Sequence, residues 1–237
     1  MKKIIITGAT GFIGKALVQY LLNFDYQIFA FVRDKTKLLD INCDNLMIIE
    51  TDLNENSLNN QIKYFKNLEI EAVIHLAWGG YGKYTNDYNI QIDNIKISCN
   101  VAEFAAIIDA KQFIFAGSSH QYLKFENNYS SVYGLAKTCA ENFIKLILLK
   151  TNIKYNTVFF TNVFGIGDYS ARTANLFISS LLQGKNLDLI QGNNLYDWIY
   201  IDDVVTGIKA VLEFGKDKKT YYIGHKHLRT FKEIITD

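Results

Sequence analysis

Three glycines near the start of the chain constrain its fold most strongly. Gly8, Gly11 and Gly14 stand directly after a short apolar run, Lys3–Thr7, which reads as a buried strand. The segment Phe12–Asn23 then has helical periodicity. A strand that turns into a helix over such glycines is typical of a parallel α/β sheet, and the N-terminus of that helix suits a pyrophosphate. The motif predicts a dinucleotide site; a tight turn that binds nothing is the alternative.

The rest of the chain alternates strand-like and helix-like segments, as in a parallel sheet covered by helices. Up to about residue 161, further strands are predicted at Gln27–Val32, Leu46–Glu50, Ala72–Leu76, Gln112–Ala116 and Asn156–Phe160, and helices at Asn89–Ile108 and Val132–Lys150. Beyond it, helices are predicted at Asn175–Gln183 and Asp202–Phe214, and short strands at Leu187–Ile190, Trp198–Ile201 and Thr220–Ile223. We expect a Rossmann-type doubly wound parallel sheet over residues 1–161. A small mixed α/β lobe over 162–237, interleaved with the sheet, is expected to bind the substrate.

Composition excludes several classes of protein. Lysine and arginine total 25 against 24 acids, a formal charge of +1, which argues against nucleic acid or an anionic membrane as the main partner. No run approaches the roughly 18 apolar residues of a spanning helix, and the apolar run after Met1-Lys2-Lys3 is too short for a signal peptide. Cys43, Cys99 and Cys139 lack paired spacing, which predicts reduced thiols in the cytoplasm. They form no metal-ligand cluster with the four histidines, so no metal site is expected.

The end of the second predicted strand bears on the choice of dinucleotide. An acidic residue there would bind the adenosine ribose 2′-hydroxyl, whereas an arginine nearby accommodates a 2′-phosphate. The chain has Val32 at this position, followed by Arg33, and Asp34 comes one residue late for the ribose. These residues favour NADP(H), with NAD(H) as the alternative. A solvated surface charge is the other interpretation of Arg33.

Tyr133 and Lys137 are the candidate proton-transfer pair. Their i, i+4 spacing at the start of a predicted helix puts both side chains on one face, where an ammonium lowers the pKa of the phenol. A phenol with a lowered pKa can exchange a proton with a carbonyl or a carbinol. The same spacing recurs at Tyr222 and Lys226, but that segment reads as a strand and a turn.

Ser118 follows the predicted strand Gln112–Ala116. A hydroxyl at the carboxyl end of a strand points into the crevice where open α/β sheets bind ligands. Serines at strand ends are often turn formers, and it is the combination with Tyr133 and Lys137 that favours a catalytic role here.

These motifs resemble an extended short-chain dehydrogenase/reductase of the NAD-dependent epimerase/dehydratase family, whose members mostly act on nucleotide-linked sugars. The resemblance rests on Gly8–Gly14, His75–Trp78, Ser118 and the Tyr133/Lys137 pair, and it extends over nearly the whole chain. It implies that Tyr133 is the acid/base, that Lys137 binds the nicotinamide ribose and that Ser118 orients the substrate oxygen.

The resemblance also implies further site residues. Asn94 resembles the helix asparagine behind the catalytic lysine. The expected cofactor contacts are Gly8, Thr10, Gly11, Phe12, Ile13, Gly14, Arg33, Asp52, Leu53, Leu76, Ala77 and Lys137. The candidate substrate contacts are Ser119, His120, Asn162, Arg172, Asn175 and Tyr196.

The chain departs from the family pattern at several positions. Family 4,6-dehydratases carry an Asp-Glu pair where this chain has Ser119 and His120, so dehydration lacks its acid/base pair. His120 is either a polar substrate contact or a loop histidine without a function. Phe159 and Tyr196 stand where the family has arginines that would bind a substrate diphosphate, and Arg172 partly compensates for them. The chain ends several dozen residues before its relatives, which suggests either a shortened chain or a smaller, more openly bound substrate.

The leading hypothesis is an NADP(H)-dependent reductase of a 4-keto-6-deoxy sugar linked to a nucleotide diphosphate. A nucleotide-sugar 4-epimerase with tightly bound NAD is the first alternative, and a non-catalytic dinucleotide-binding protein is the second. A homodimer is also expected, through a four-helix interface of the segments Asn89–Ile108 and Tyr133–Lys150.

Overall fold

The computed structural model describes residues 1–122, 124–125, 128–129, 131–168, 173–185 and 192–236. Its strands are β1 (Lys2–Thr7), β2 (Tyr26–Val32), β3 (Leu46–Glu50), β4 (Ile70–His75), β5 (Gln112–Ala116), β6 (Lys124–Phe125), β7 (Asn128–Tyr129), β8 (Lys154–Phe160), β9 (Asn162–Phe164), β10 (Leu195–Tyr196), β11 (Trp198–Tyr200), β12 (Lys219–Ile223) and β13 (Arg229–Thr230). Its α-helices are α1 (Phe12–Leu21), α2 (Glu55–Phe65), α3 (Tyr88–Ile107), α4 (Val132–Leu148), α5 (Thr173–Leu182), α6 (Ile201–Phe214) and α7 (Phe231–Thr236).

Seven strands form one parallel sheet in the order β12-β8-β5-β4-β1-β2-β3. Helices cover both faces, so its strands are apolar on both sides. In β1, Ile4 and Ile6 pack with α1 and α6, whereas Ile5 packs with α2, α3 and α4. The expected doubly wound α/β fold is therefore confirmed.

The order in which the chain adds strands to the parallel sheet reverses between β1 and β4. After β3 at one edge the chain returns to pair β4 with the other side of β1, and it then continues outward to β5 and β8. Such a reversal opens a crevice at the carboxyl ends of the two strands. The last residues of these strands, Thr7 and His75, are opposite each other in the register, and the catalytic candidates gather at this edge.

The last third of the chain contributes both to the large sheet and to two small two-stranded sheets. Strand β12 pairs with β8 in the large sheet, and α6 packs against α1 in the same core. In contrast, β9 pairs only with β11, and β10 only with β13, among the described residues. The described part of residues 162–237 is thus interwoven with the sheet, and the assignment of this segment as a substrate lobe stays a prediction.

Several predicted elements differ in detail from the structure. Helix α1 ends at Leu21 rather than Asn23, and α4 ends at Leu148 rather than Lys150. Helix α2 was not predicted; it begins at the N-cap Asn54, whose side chain accepts a hydrogen bond from the Ser57 N–H at 2.9 Å. The predicted strand at Leu187–Ile190 lies outside the described residues. Within the described part of the chain, no helix has the length and apolarity to cross a membrane.

Candidate active site

The turn between β1 and α1 requires glycine for two different steric reasons. Gly8 has a φ of +70°, and a Cβ there would lie 2.6 Å from the Ala77 nitrogen. A Cβ on Gly14 would lie 2.1 Å from the Gly8 carbonyl oxygen, so α1 can pack this closely only without a side chain. At Gly11, the N-cap, a Cβ would meet only that same oxygen, at 3.3 Å.

The first turn of α1 fits a dinucleotide pyrophosphate. The Gly11 N–H bonds the Gly8 carbonyl at 3.0 Å, and no side chain caps the helix. A Cβ at Gly11 would occupy space in the crevice, so its absence leaves room for phosphate oxygens beside the helix N-terminus.

Two adjoining cavities occupy the crevice, and they share Gly8, Gly11, Leu76 and Trp78. We call them the cofactor cavity, of about 490 Å³, and the reaction cavity, of about 230 Å³. The cofactor cavity is also lined by the predicted residues Thr10, Arg33, Asp52, Leu53, Ala77 and Asn94. The reaction cavity is also lined by Phe12, Ile13, Gly14, Ser118, Ser119, His120, Tyr133, Lys137 and Asn162. The structure therefore brings all the predicted catalytic and cofactor residues to one crevice.

Lys137 is buried at the junction of α4 with the carboxyl end of β5. Its Nζ donates a hydrogen bond to the Ala116 carbonyl at 2.6 Å and lies 3.9 Å from the centroid of the Trp78 ring. Burial lowers the pKa of Lys137 to about 7, and the nearby Glu141 carboxylate partly opposes that decrease. Tyr133, one turn earlier on α4, is buried on the same face.

Ser118 is the N-cap of a 3₁₀ turn over Ser119–Gln121. Its Oγ accepts a hydrogen bond from the His120 N–H at 3.3 Å, and its own N–H donates to Gln121 Oε1 at 2.7 Å. Turn formation and a catalytic role are therefore compatible, because accepting this bond leaves the serine hydroxyl proton free to face the cavity.

Asn94 holds the loop that follows β4. Its Oδ1 accepts from the Gly79 N–H at 2.8 Å, and its Nδ2 donates to the Gly79 carbonyl at 2.9 Å. The adjacent Trp78 is fixed from its other end, since its Nε1 donates to Gln91 Oε1 at 3.0 Å. Asn94 thus fixes the residue next to Trp78, whose indole covers the Lys137 ammonium, and its catalytic role stays a prediction.

A buried histidine joins β1, β4 and α3 behind this loop. His75 Nδ1 lies 2.7 Å from Thr7 Oγ1, and its Nε2 lies 3.0 Å from Ser98 Oγ. Burial, with a further contribution from the Lys137 charge, lowers the pKa of His75 to about 3. The imidazole is therefore neutral and structural.

His120 lies in an aromatic wall of the reaction cavity. Its ring meets Tyr133 edge to face at 5.5 Å and Tyr81 at 6.0 Å. Burial lowers the pKa of His120, so the ring is neutral near pH 7. Its Nδ1 is buried without a hydrogen-bond partner among the residues that the structure describes.

Trp78 and Tyr81 also line the reaction cavity and were missed as site residues. Both follow the carboxyl end of β4, where side chains reach the crevice, and this position was the signal for them.

Two other predicted substrate contacts, Asn175 and Tyr196, do not line the crevice. Asn175 lines a separate cavity of about 640 Å³ with Phe164 and Tyr200, and its Nδ2 donates to the Asp168 carbonyl at 2.8 Å. Tyr196 lines neither the crevice nor this separate cavity. Its ring packs against Trp198 and Phe231. Arg172 lies outside the described residues.

The second tyrosine–lysine spacing is not a catalytic pair. Tyr222 lies in β12 and donates a hydrogen bond to Asp197, while Lys226 is in a left-handed turn with a φ of 68°. The two residues therefore do not share a helix face, as predicted.

The chain is similar to known proteins in both sequence and structure. It is 25% identical to the dTDP-4-dehydro-6-deoxyglucose reductase of Escherichia coli, over 98% of this chain and 79% of that enzyme. It is 25% identical to the dTDP-D-glucose 4,6-dehydratase of Dictyostelium discoideum, over 94% of this chain but 58% of that enzyme. The structure superposes on the UDP-glucuronic acid 4-epimerase of Bacillus cereus, solved in complex with NAD, with a TM-score of 0.83 and 25% identity. That superposition covers 99% of this chain and 82% of the epimerase.

These relatives perform different reactions, so they identify a family rather than one activity. The sequence model of that family matches residues 4–224, which include the glycine turn, Ser118, Tyr133 and Lys137. The chain belongs to the NAD-dependent epimerase/dehydratase family.

Proposed function

We propose that this protein is an NADP(H)-dependent reductase of a 4-keto-6-deoxy sugar carried on a nucleotide diphosphate. The observation that carries the proposal is the position of Arg33. It lines the cofactor cavity with Thr10 and Asp52, where its guanidinium can bind a 2′-phosphate through two parallel bonds. The neighbouring Asp34 is engaged elsewhere, because its carboxylate accepts from the Thr36 N–H at 3.0 Å.

The reductase assignment has two further supports. Ser119 and His120 occupy the positions of the acidic pair that dehydration needs, and neither supplies a carboxyl group. One of the curated relatives, aligned over nearly the whole chain, is named as a reductase of dTDP-4-dehydro-6-deoxyglucose. A reductase consumes reducing equivalents from outside, which fits an NADPH site better than an NAD site.

The chain's own residues would bind the ketone and move one proton. When bound, the dinucleotide supplies a hydride to the keto carbon. Tyr133 then protonates the developing alkoxide from its phenol, and Ser118 holds the same oxygen by a hydrogen bond. Lys137 would bind the nicotinamide ribose and favour the phenolate through its charge.

We assign the substrate to the reaction cavity and the surface leading away from it. Ser119, His120 and Asn162 would contact the sugar, since all three line that cavity. Asn175 would contact the nucleotide diphosphate from the separate cavity it shares with Tyr200. Residues 162–237 would therefore form the substrate lobe.

We also propose a homodimer and a cytoplasmic location. Helices α3 and α4 expose the large apolar residues Tyr88, Ile92, Phe143 and Leu146, enough for a four-helix interface. The three cysteines are free and half-buried, which suits a reducing compartment.

The first experiment identifies any dinucleotide retained by the purified protein after acid release, alongside fluorescence titrations with NADPH and NADH. The proposal expects an empty protein that binds NADPH much more tightly. NADPH oxidation is then followed with a panel of nucleotide-linked 4-keto-6-deoxy sugars, comparing the wild type with Tyr133→Phe. Wild-type turnover by Tyr133→Phe on a competent sugar would refute the assigned mechanism.

A nucleotide-sugar 4-epimerase is the second candidate. The observation that favours it is the similarity to a UDP-glucuronic acid 4-epimerase that was solved with NAD. Stoichiometric retained NAD would select this candidate over the reductase. A protein that binds dinucleotide but turns over none of the sugars in either assay would point to a non-catalytic role.

A further inference from the structure

A buried carboxylate beneath the reaction cavity has no role in the proposed chemistry. Glu141 lies on α4, one turn beyond Lys137, and is almost fully buried. A carboxylate is costly to bury unless it is paired and hydrogen-bonded, so its partners indicate its function.

Glu141 anchors a chain of hydrogen bonds that ends at the catalytic serine. Its Oε2 accepts from Gln121 Nε2 at 2.7 Å, and Gln121 Oε1 accepts from the Ser118 N–H at 2.7 Å. Gln121 thus joins the loop after β5 to the carboxylate on α4.

The other carboxylate oxygen ties the same group to strand β8 and to the surface. Glu141 Oε1 accepts from Thr157 Oγ1 at 2.8 Å and lies 2.8 Å from the Nζ of Lys145, which is half-exposed. Thr157 Oγ1 is 2.7 Å from the hydroxyl of the buried Tyr155. The carboxylate is therefore fixed from three elements: the turn that carries Gln121, strand β8 and α4 itself.

The charge of Glu141 also acts on Lys137. The Lys137 ammonium is otherwise surrounded by the rings of Trp78, Phe115 and Tyr133, the Ala116 carbonyl and the neutral His75. Glu141 is the carboxylate that opposes the effect of burial on this ammonium. Of the groups around Glu141, Lys145 is cationic, and Tyr122 and Tyr155 are phenols with pKa values raised by burial and by Glu141.

We propose that Glu141 is a positioning residue for the reaction centre, which fixes the Ser118 backbone through Gln121 and keeps Lys137 cationic. This inference rests on the proposed role of Lys137 at the nicotinamide ribose. One buried carboxylate thus has two functions: it fixes the position of the Ser118 backbone, and it stabilises the positive charge of Lys137.

The test separates charge from geometry by comparing Glu141→Gln with Lys145→Gln. Glutamine keeps one acceptor oxygen for Gln121, and its amide NH2 can donate to the Thr157 hydroxyl, but it removes the negative charge, whereas Lys145→Gln keeps the carboxylate and removes its opposing cation. NADH binding is titrated from pH 5.5 to 9, because NADH lacks the 2′-phosphate that itself titrates near pH 6. Thermal melting checks that each variant folds.

Glu141→Gln is expected to raise the Kd for NADH about threefold or more at pH 7 and to match the wild type below pH 6. The midpoint of the pH dependence therefore moves to lower pH, whereas Lys145→Gln moves it to higher pH. An unchanged midpoint in both variants would overturn the charge role, even where Tyr133→Phe abolishes turnover as the proposed function requires. If Glu141→Gln does not fold, Lys145→Gln alone tests the charge role. A midpoint shifted to higher pH supports that role, and an unchanged midpoint or a shift to lower pH overturns it.

The geometric role is tested with Gln121→Ala. This variant is expected to lower kcat at least tenfold with the NADH midpoint unchanged, because it releases Ser118 but leaves the carboxylate in place. Wild-type kcat would overturn the link from Glu141 to Ser118.

Discussion

The ammonium nitrogen of Lys137 lies 3.9 Å from the centroid of the Trp78 ring and 2.6 Å from the carbonyl oxygen of Ala116. The indole face and the carbonyl both favour a cation, and they stabilise it where water is excluded. Lys137 is therefore held by an aromatic residue from the loop after β4 as well as by its own helix.

Trp78→Leu is expected to weaken dinucleotide binding about 2- to 30-fold, the equivalent of a cation–π contact of about 0.5–2 kcal/mol. Trp78→Phe should lie between this variant and the wild type. Isothermal calorimetry with NADPH measures the effect, and Trp198→Phe is the control because Trp198 packs against Phe164 and Phe231, outside the crevice. Equal losses in the leucine and control variants would contradict a specific role for the indole.

Arg33→Ala is expected to weaken NADPH binding about 10- to 100-fold, because a charge-assisted hydrogen bond contributes about 1.5–3 kcal/mol. NADH binding should change less than about threefold, since NADH lacks the 2′-phosphate. Fluorescence titrations measure both. Lys35→Ala is the matched control, as it removes the same charge from an exposed position outside the cofactor cavity. Parallel losses for NADPH and NADH in Arg33→Ala would rule out 2′-phosphate recognition.

Gly14→Ala and Gly11→Ala should separate folding from binding. A Cβ on Gly14 would meet a backbone oxygen at 2.1 Å, so this variant is expected to lose several kcal/mol of the free energy of unfolding. A Cβ on Gly11 would meet the Gly8 carbonyl oxygen at 3.3 Å, a much milder contact, and would enter the crevice, so Gly11→Ala should lose far less Tm than Gly14→Ala and bind NADPH at least about tenfold more weakly. Thermal melting and titration of both variants test this contrast; tight NADPH binding by Gly11→Ala would contradict the placement of the pyrophosphate.

His75 makes the free energy of unfolding sensitive to acid. Its pKa is about 3 in the folded protein and about 6.5 in the unfolded chain, so the unfolded chain binds the extra proton as the pH falls between these values. The stabilisation is fully present above pH 6.5, and about 1.4 kcal/mol is lost for each unit of pH below it. Urea unfolding between pH 7 and pH 5 should therefore show a shallower pH dependence in His75→Gln than in the wild type. His225→Gln, at an exposed position, should keep the wild-type slope.

Phe143→Glu is expected to give a monomer, because it places a charge among the exposed apolar residues of α3 and α4. Size-exclusion chromatography with light scattering measures the mass. Leu182→Glu, which changes a highly exposed leucine on α5, should leave the proposed dimer intact. A monomeric wild type at micromolar concentration would contradict the proposed four-helix interface.

The sequence was most informative where a function depends on residues close together in the chain. The glycine turn and the Tyr133/Lys137 spacing are local patterns, and the strand ahead of Ser118 is a continuous apolar run, so each could be placed before the structure was known. Helix α2 was missed because apolar residues such as Leu58 and Phe65 are sparse in a mostly polar segment.

Contacts between distant segments could not be predicted in the same way. The position of Trp78 over Lys137 joins a loop after β4 to α4, and the Glu141–Gln121 bond joins α4 to the turn after β5. Tyr196 shows the converse: its place in a familiar motif suggested a substrate contact, which stays a prediction, and in the structure its ring packs against Trp198 and Phe231. Side-chain direction there depends on the local pairing of β10 with β13, which the motif alone does not contain.

The last strand of the large sheet, β12, is synthesised well after the strand it accompanies. Lys219 is 63 residues beyond Asn156, its partner position in β8, and the tyrosine and lysine of the site have already been made by then. Until β12 emerges from the ribosome, the outer edge of β8 has no partner strand, and another chain can pair with it there. In this interval Ser118, Tyr133 and Lys137 have been synthesised but the sheet is one strand short, so the edge of β8 is open to misassembly.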